Sequence, residues 1–119
     1  MADSRRRKIE AELQRALAEL VGREVKDPRV GNVTITAVDV APDLSTARVF
    51  FIPFASHHDA DEVRVGLTRA GGFLRGQVGR RLGLRHTPRL EFVFDDSFDR
   101  AQRLSSLIDG AAGAGRKPG

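Results

Sequence analysis

The fold is decided by residues 63–82, which read VRVGLTRAGGFLRGQVGRRL. Apolar side chains recur there at helical steps of three and four, in two successive groups. These groups are Val63, Leu67 and Ala70, followed by Leu74, Val78 and Leu82. Gly71 and Gly72 separate the groups, and each glycine inside a helix costs ~1 kcal/mol relative to alanine. The stretch therefore predicts two helices that meet at a kink formed by Ala70, Gly71 and Gly72.

A second pair of glycines offers another position for the junction between the helices. Gly76-Gln77-Val78-Gly79 matches the GxxG loop with which KH domains bring their backbone against nucleotides. A loop at this position would expose Val78 and break the second apolar group, whereas the boundary between the groups already falls at residues 70–72. We therefore favour the earlier junction and expect Val78 to lie inside the second helix.

The chain before this stretch predicts one helix and a β-hairpin. Apolar residues at helical spacing cover residues 4–21, and Gly22 is expected to end the helix. β-branched residues then fill positions 33–40, where a change of phase near Ala37 predicts a bulge, and a second β-rich run covers 46–53. Because a turn containing Pro and Asp joins the two runs, we expect an antiparallel hairpin.

The chain after this stretch completes the domain. Pro88 ends the helical pattern, residues 89–94 alternate as a third strand, and residues 97–108 predict a short C-terminal helix. The order α-β-β-α-α-β predicts an α+β domain over residues 1–109, with a three-stranded sheet backed by helices. Residues 110–119 are rich in Gly and Ala and lack apolar residues larger than Ala, so we expect a flexible tail.

Composition limits the class of protein. A chain of 119 residues fits one core, and 40% apolar with 30% charged residues is typical of a soluble globular domain. The absence of cysteine removes disulfides, thiolate nucleophiles and the usual structural zinc sites, and it fits a reducing compartment. No apolar run reaches membrane-spanning length. We therefore expect a cytoplasmic protein that does not enter a membrane.

Basic residues are clustered along the chain. Residues 63–90 hold seven arginines and no acidic residue, residues 5–8 add four basic residues, and the remainder carries a net charge of −7. Arginine accounts for 17 of the 20 basic residues and suits bidentate phosphate contacts, although a GC-rich genome also raises its share. The segregation favours a polyanionic partner. The candidate contact residues are Arg5, Arg6, Arg7, Lys8, Arg75, Arg80, Arg81, Arg85, His86 and Arg89.

Catalytic and metal-binding patterns are weak in this sequence. The pair His57-His58 is expected to be solvated, because no other ligand stands at a suitable spacing. Asp95, Asp96 and Asp99 form a small acidic cluster that is most simply interpreted as helix-capping residues. No phosphate-binding GxxxxGK[ST] motif occurs. We therefore expect no metal, no cofactor and no enzymatic activity.

The order and spacing of these features resemble the ribosome-binding factor A family, over about residues 5–108. The resemblance implies a type II KH-like fold in which a kink of the form Ala-x-Gly replaces the usual KH loop, as at Ala70, Gly71 and Gly72. The matching residues are Asp27-Pro28-Arg29, Val33 to Thr36 with Val38, Asp43-Leu44, Ala47 to Val49, Ala70 to Arg75, Leu84-Arg85, Pro88, Leu90, Phe92 and Asp95.

The resemblance also implies a function. Members of this family bind the free small (30S) ribosomal subunit and its 16S rRNA late in maturation, aid processing of the 5′ end of the 16S precursor, and support growth in the cold. We expect this chain to act likewise, as a monomer when free. It departs from the family in the glycine-rich helix after the kink and in its short tail. A general RNA-binding or stress factor on mature ribosomes is the chief alternative, followed by a protein-interaction module that uses the acidic remainder.

Overall fold

The computed structural model describes residues 2–54 and 57–97 as a mixed α+β fold, in which the helices cover one face of a three-stranded sheet. The element order is the predicted α-β-β-α-α-β. The elements are α1 (Ala2–Arg23), β1 (Val33–Val40), β2 (Thr46–Pro53), α2 (Ala60–Arg69), α3 (Gly71–Leu82) and β3 (Arg89–Phe94). All three strands begin and end at the predicted residues. The predicted C-terminal helix, apart from its first residue Ser97, and the predicted tail lie outside the described residues.

The sheet has the order β1-β2-β3, with β1 antiparallel to β2 and β2 parallel to β3. A parallel pair needs a crossover connection, and the helix pair α2–α3 provides it. The register between β1 and β2 shifts between Ile35 and Ala37, which confirms the predicted bulge. Thr46 pairs with Arg89, so the start of β2 lies beside the start of β3.

The core lies between the helices and one face of the sheet. Side chains alternate along β2, where Val49 and Phe51 are buried and Arg48 is exposed. The ring of Phe51 meets that of Phe94 edge to face, with centroids 6.3 Å apart. The helices contribute their apolar stripes to this layer, and none of these side chains is more than 1% exposed. They are Leu13, Leu17, Leu20, Val63, Leu67, Leu74 and Val78.

Helix α1 is longer than predicted at both ends and covers the edge of the sheet. It continues through Gly22 to Arg23, where the backbone N–H of Glu24 still donates to the carbonyl of Leu20, because the core packing of Leu20 and Val21 outweighs the low helix propensity of one glycine. At the edge of β1, Glu10 accepts a hydrogen bond from the N–H of Val40 at 2.8 Å. Gln14 donates to the carbonyls at the bulge. These contacts occupy backbone groups that an edge strand would otherwise leave open.

Ala70 forms the junction between α2 and α3, as predicted. It ends one helix and begins the next with φ −79° and ψ −3°, and its N–H donates to the Gly66 carbonyl at 3.1 Å. The N–H of Leu74 donates in turn to the Ala70 carbonyl, so hydrogen bonding continues across the kink. Val78 is fully buried inside α3, so the GxxG string of residues 76–79 is helix and not a loop.

Candidate nucleic-acid interface

Four segments of the chain converge at one end of the domain and enclose a cleft of about 590 Å³. Helix α1 contributes Arg5 and Ile9, and α3 contributes Arg75. The turn between β1 and β2 contributes residues 43–45, and the loop between α3 and β3 contributes residues 84–88. We call this site the basic cleft, because arginines project from three of its four segments.

The turn between β1 and β2 is held by short hydrogen bonds. Oδ1 of Asp43 accepts from the hydroxyl of Ser45 at 2.7 Å and from its N–H at 3.1 Å, and these two bonds, the hydroxyl one above all, lower the pKa of the Asp43 carboxyl. Leu44, between them, has a φ of 62°, in the left-handed region that non-glycine residues rarely adopt. The turn therefore presents an ionised carboxylate and a leucine side chain to the cleft in one conformation.

The loop between α3 and β3 is fixed from two sides. Nε and Nη2 of Arg75 donate to the carbonyl of Thr87 at 3.0 and 2.9 Å. Gly79 lies directly under Thr87, and a Cβ at this position would collide with the Thr87 hydroxyl. The N–H of Arg89 donates to the carbonyl of Ser45 at 2.9 Å, which joins this loop to the opposite turn. These contacts link the two walls of the cleft.

The structure brings together four of the ten candidate contact residues, since Arg5, Arg75, Arg85 and His86 all line the basic cleft. Within residues 2–54 and 57–97, the side chains of Arg5, Arg85 and His86 make no hydrogen bond or ion pair, so they are available to an anion. Arg75 is exposed but directs its guanidinium at the Thr87 carbonyl. Arg5 lies far from the other three in the sequence and joins them on one surface only in the folded chain.

The remaining candidates point elsewhere. Arg6 lines a separate groove with Arg48 and Glu91 on the sheet side of the domain. Nη1 of Arg81 forms an ion pair with Oε2 of Glu19 at 3.1 Å, which joins α3 to α1 and offsets the charge of Arg81. Arg7, Lys8 and Arg89 are exposed.

Arginines on α3 project in three directions because successive residues of a helix turn by about 100°. Leu74 and Val78 mark the buried side. Arg75 lies on the flank that faces the loop to β3, and Arg81 lies on the flank that faces α1. Arg80 projects away from the core and is exposed. The candidate arginines of α3 are therefore divided between the cleft, the outer surface and the α1 contact.

The kink is a second exposed feature, at the opposite end of α3 from Gly83. No atom outside the helix backbone lies within 4 Å of a Cβ built on Gly71 or Gly72, so the backbone there is accessible. Phe73 follows the two glycines and is 45% exposed, beside Lys26 in a shallow groove. An exposed aromatic ring beside a cation can stack with an unpaired base, but Glu24 and Asp27 line the same groove and oppose a phosphate.

Asp27 and Arg29 hold the loop that borders this groove. Oδ2 of Asp27 lies 2.6 Å from Nη2 of Arg29, and Oδ1 accepts from both Nε and the backbone N–H of Arg29. These bonds lower the pKa of Asp27 to about 2. Val30, one residue later, packs against Gly66 of α2 so closely that a Cβ on Gly66 would lie 2.9 Å from its Cγ2 atom.

Other residue types considered from sequence are engaged locally. Nδ1 of His58 lies 2.8 Å from Oε2 of Glu62, and Asp59 caps α2 through a capping box with Glu62. Asp95 accepts from the hydroxyls of Thr36 and Ser97 and from the Ser97 N–H. In the described part of the chain, no three His, Asp or Glu side chains are grouped as metal ligands, and no helix is long and apolar enough to cross a membrane.

Sequence reasoning did not identify the residues that shape the cleft. Leu44 adopts a left-handed backbone conformation, which a leucine in the sequence does not predict. Gly79 is noticed in the sequence only as part of the GxxG string, yet its missing side chain allows Thr87 to approach. The available signal was the Pro-Asp turn at residues 42–43, because Asp favours turns that fix the next residues. It indicated a tight turn but not what the turn would face.

The fold and this surface define a small KH-like domain whose exposed basic cleft is suited to nucleic acid. The family model for ribosome-binding factor A matches residues 5–108. The chain therefore belongs to the ribosome-binding factor A family, as the sequence resemblance predicted. It is 45% identical over 108 residues to the ribosome-binding factor A of Azoarcus sp. strain BH72, covering 91% of this chain and 86% of that relative.

Two structures of Thermus thermophilus ribosome-binding factor A share the fold. The crystal structure of that factor aligns with a TM-score of 0.65 at 33% identity, over 74% of this chain and 93% of that one. A homology model fitted into a cryo-EM map of the complex of that factor with the 30S subunit aligns with a TM-score of 0.63 at 32% identity, over 75% and 93% of the two chains.

Proposed function

We propose that this protein binds the free small ribosomal subunit through its 16S rRNA, and that the basic cleft with the adjoining arginines forms the contact surface. The observation that carries this proposal is the convergence of Arg5, Arg85 and His86, none of them paired to a described residue, at one end of a domain of this family. The related Thermus factor in its complex with the 30S subunit supports the choice of partner.

The physical mechanism is phosphate neutralisation by a preformed surface. Cations that contact phosphates release counterions, and this release supplies much of the affinity of proteins for RNA. Shape supplies the selectivity, because a rigid domain fits only some arrangements of rRNA strands. The ion pair of Arg81 with Glu19 and the hydrogen bonds of Arg75 hold α3 in place beneath this surface.

The finer role follows from the family. The protein would act in the cytoplasm as a monomer, without catalysis, on subunits late in maturation. It would support processing of the 5′ end of the 16S precursor and growth in the cold. The alternative, a general RNA-binding or stress factor on mature ribosomes, would use the same surface but would not prefer precursor subunits.

Sucrose-gradient co-sedimentation with precursor and mature small subunits tests this proposal. The wild-type chain should sediment mainly with precursor subunits, and equal association with mature subunits would favour the alternative. Arg85→Glu should reduce association strongly, because it places a carboxylate where a phosphate would lie. Arg15→Glu, an exposed α1 position outside the cleft with the same change of charge, is the matched control. Equal loss in both variants would overturn the assignment of the surface.

A further inference from the structure

We propose that the basic cleft binds a single unpaired nucleotide of an RNA strand, with the base against Leu44 and Leu84 and the phosphate between Arg5, Arg85 and His86. This inference rests on the proposed function for the source of the RNA. It goes further in assigning a ligand of defined size and chemistry to one cavity.

The size of the cleft supports a nucleotide. Its volume of about 590 Å³ falls within the range of roughly 300–1,000 Å³ that is typical of small-molecule sites. A phosphate group alone would leave most of that space empty, and an RNA duplex could not enter it. Unpaired nucleotides do fit such sites, because sequence-specific RNA recognition commonly uses bases that are splayed out of a strand.

The lining has two chemical parts. Ile9, Leu44, Leu84 and Pro88 provide apolar surface, which suits the face of a base. The cations lie on α1, α3 and the loop to β3, whereas the turn between β1 and β2 carries the carboxylate of Asp43. Because this carboxylate repels a phosphate and accepts hydrogen bonds from amino groups, the turn faces the base and the arginine-bearing segments face the phosphate.

Hydrogen bonds and close packing link the walls of the cleft. The forked contact of Arg75 with Thr87, the close approach of Gly79 and the bond from Arg89 to Ser45 fix both walls relative to each other. Leu44 is held in its left-handed conformation, and unusual backbone conformations of this kind cluster at binding sites. A preformed site avoids the entropic cost of ordering its walls, so even a single nucleotide should bind measurably.

NMR titration of the 15N-labelled full chain with the four nucleoside 5′-monophosphates tests the proposal, with inorganic phosphate as the reference probe. At least one mononucleotide should give saturable shifts centred on the amides of Leu44, Ser45, Arg85 and His86. Its affinity should exceed that of phosphate by about tenfold or more, since the base adds apolar burial to the ionic contact. Affinity no higher than that of phosphate, or shifts spread over all arginine-bearing segments, would overturn the proposal.

Matched variants locate the site. Arg85→Gln should weaken mononucleotide binding by about tenfold, whereas Arg15→Gln, which removes the same charge from an exposed α1 position outside the cleft, should leave it unchanged. Leu44→Asn keeps a residue that tolerates the left-handed conformation but removes the apolar wall, and it should lower nucleotide affinity without changing phosphate affinity. Thermal melts monitored by circular dichroism identify any variant that fails to fold. Because the Arg85 and Leu44 variants change different parts of the cleft, either one alone can test the proposal.

The two proposals fail in different ways. If the wild-type chain does not sediment with precursor subunits, the proposed function fails whatever the titration shows. If it sediments but no mononucleotide binds in the cleft, the surface binds RNA only through backbone phosphates, and the nucleotide site is wrong.

Discussion

Asp27 ties its loop to Arg29 through an ionised carboxylate, and this makes stability depend on pH. The hydrogen bond from the Arg29 side chain is the largest cause that lowers the pKa of Asp27 from 3.8 to about 2, followed by the bond from the Arg29 backbone N–H. Because the pKa of the folded state is the lower one, the folded protein binds fewer protons than the unfolded chain. The contribution of the Asp27–Arg29 pair to the free energy of unfolding is therefore complete above 3.8, the ordinary pKa of Asp27, and is lost as the pH falls towards 2.

Asp27→Asn should therefore flatten the acid limb of the stability curve. The free energy of unfolding of the wild type should fall more steeply than that of the variant between about pH 4 and pH 2. Urea denaturation at a series of pH values measures both curves. Arg29→Gln removes the main cause of the shift while leaving the carboxyl, so it should flatten the same interval. Parallel curves for wild type and both variants would show that this pair does not control acid stability.

At the scale of elements, α3 is the part whose glycines serve different purposes. Gly79 meets Thr87 and has no room for a side chain, whereas a Cβ on Gly76 would meet only Nη1 of Arg80, at 4.0 Å. Gly83 ends the helix with a φ of 64°. The abundance of glycine in this helix is therefore a structural requirement at Gly79 and Gly83, but Gly76 only adds flexibility to the unfolded chain.

The pair Gly76→Ala and Gly79→Ala separates these roles. Gly76→Ala should raise the free energy of unfolding by about 0.5–1 kcal/mol, the usual gain from alanine inside a helix. Gly79→Ala should lower it by about 1–3 kcal/mol, because the new methyl group displaces Thr87 and the loop. Chemical denaturation measures both changes. A stabilising Gly79→Ala would mean that the loop yields without strain, and the cleft would then be less rigid than inferred.

Patterns within one element were predicted well, and contacts between elements were not. All three strands begin and end where alternation predicted, and the Ala70 kink follows from two adjacent glycines that interrupt a helical pattern. Helix α1 passes Gly22 because packing of its other residues outweighs the low helix propensity of one glycine. The partners of Arg75 and Arg81 could not be predicted from the sequence. Arg75 meets Thr87 only through the path of the crossover, and Arg81 meets Glu19 only because α3 packs on α1.

At the scale of the whole molecule, basic residues that are clustered in two segments of the sequence meet at the basic cleft. Arg5 lies near the start of α1 and lines the cleft, whereas Arg23 ends the same helix and pairs with Glu19. The two are about 27 Å apart along the axis, at about 1.5 Å per residue. A partner that contacts the cleft should therefore respond to charges near Arg5 and Arg85 but not to a charge near Arg23.

The salt dependence of RNA binding tests whether the phosphate contacts lie at the cleft and not near Arg23. The logarithm of the affinity for a 16S rRNA fragment should fall linearly with the logarithm of the salt concentration, with a slope of several units, because each neutralised phosphate contributes about 0.7–0.9. Arg85→Gln should reduce the slope by about one such increment. Arg23→Gln, which removes an equal charge at the far end of α1, should leave it unchanged. A slope near zero for the wild type would mean that binding does not rest on phosphate contacts, and equal slopes for all three chains would place those contacts outside the cleft.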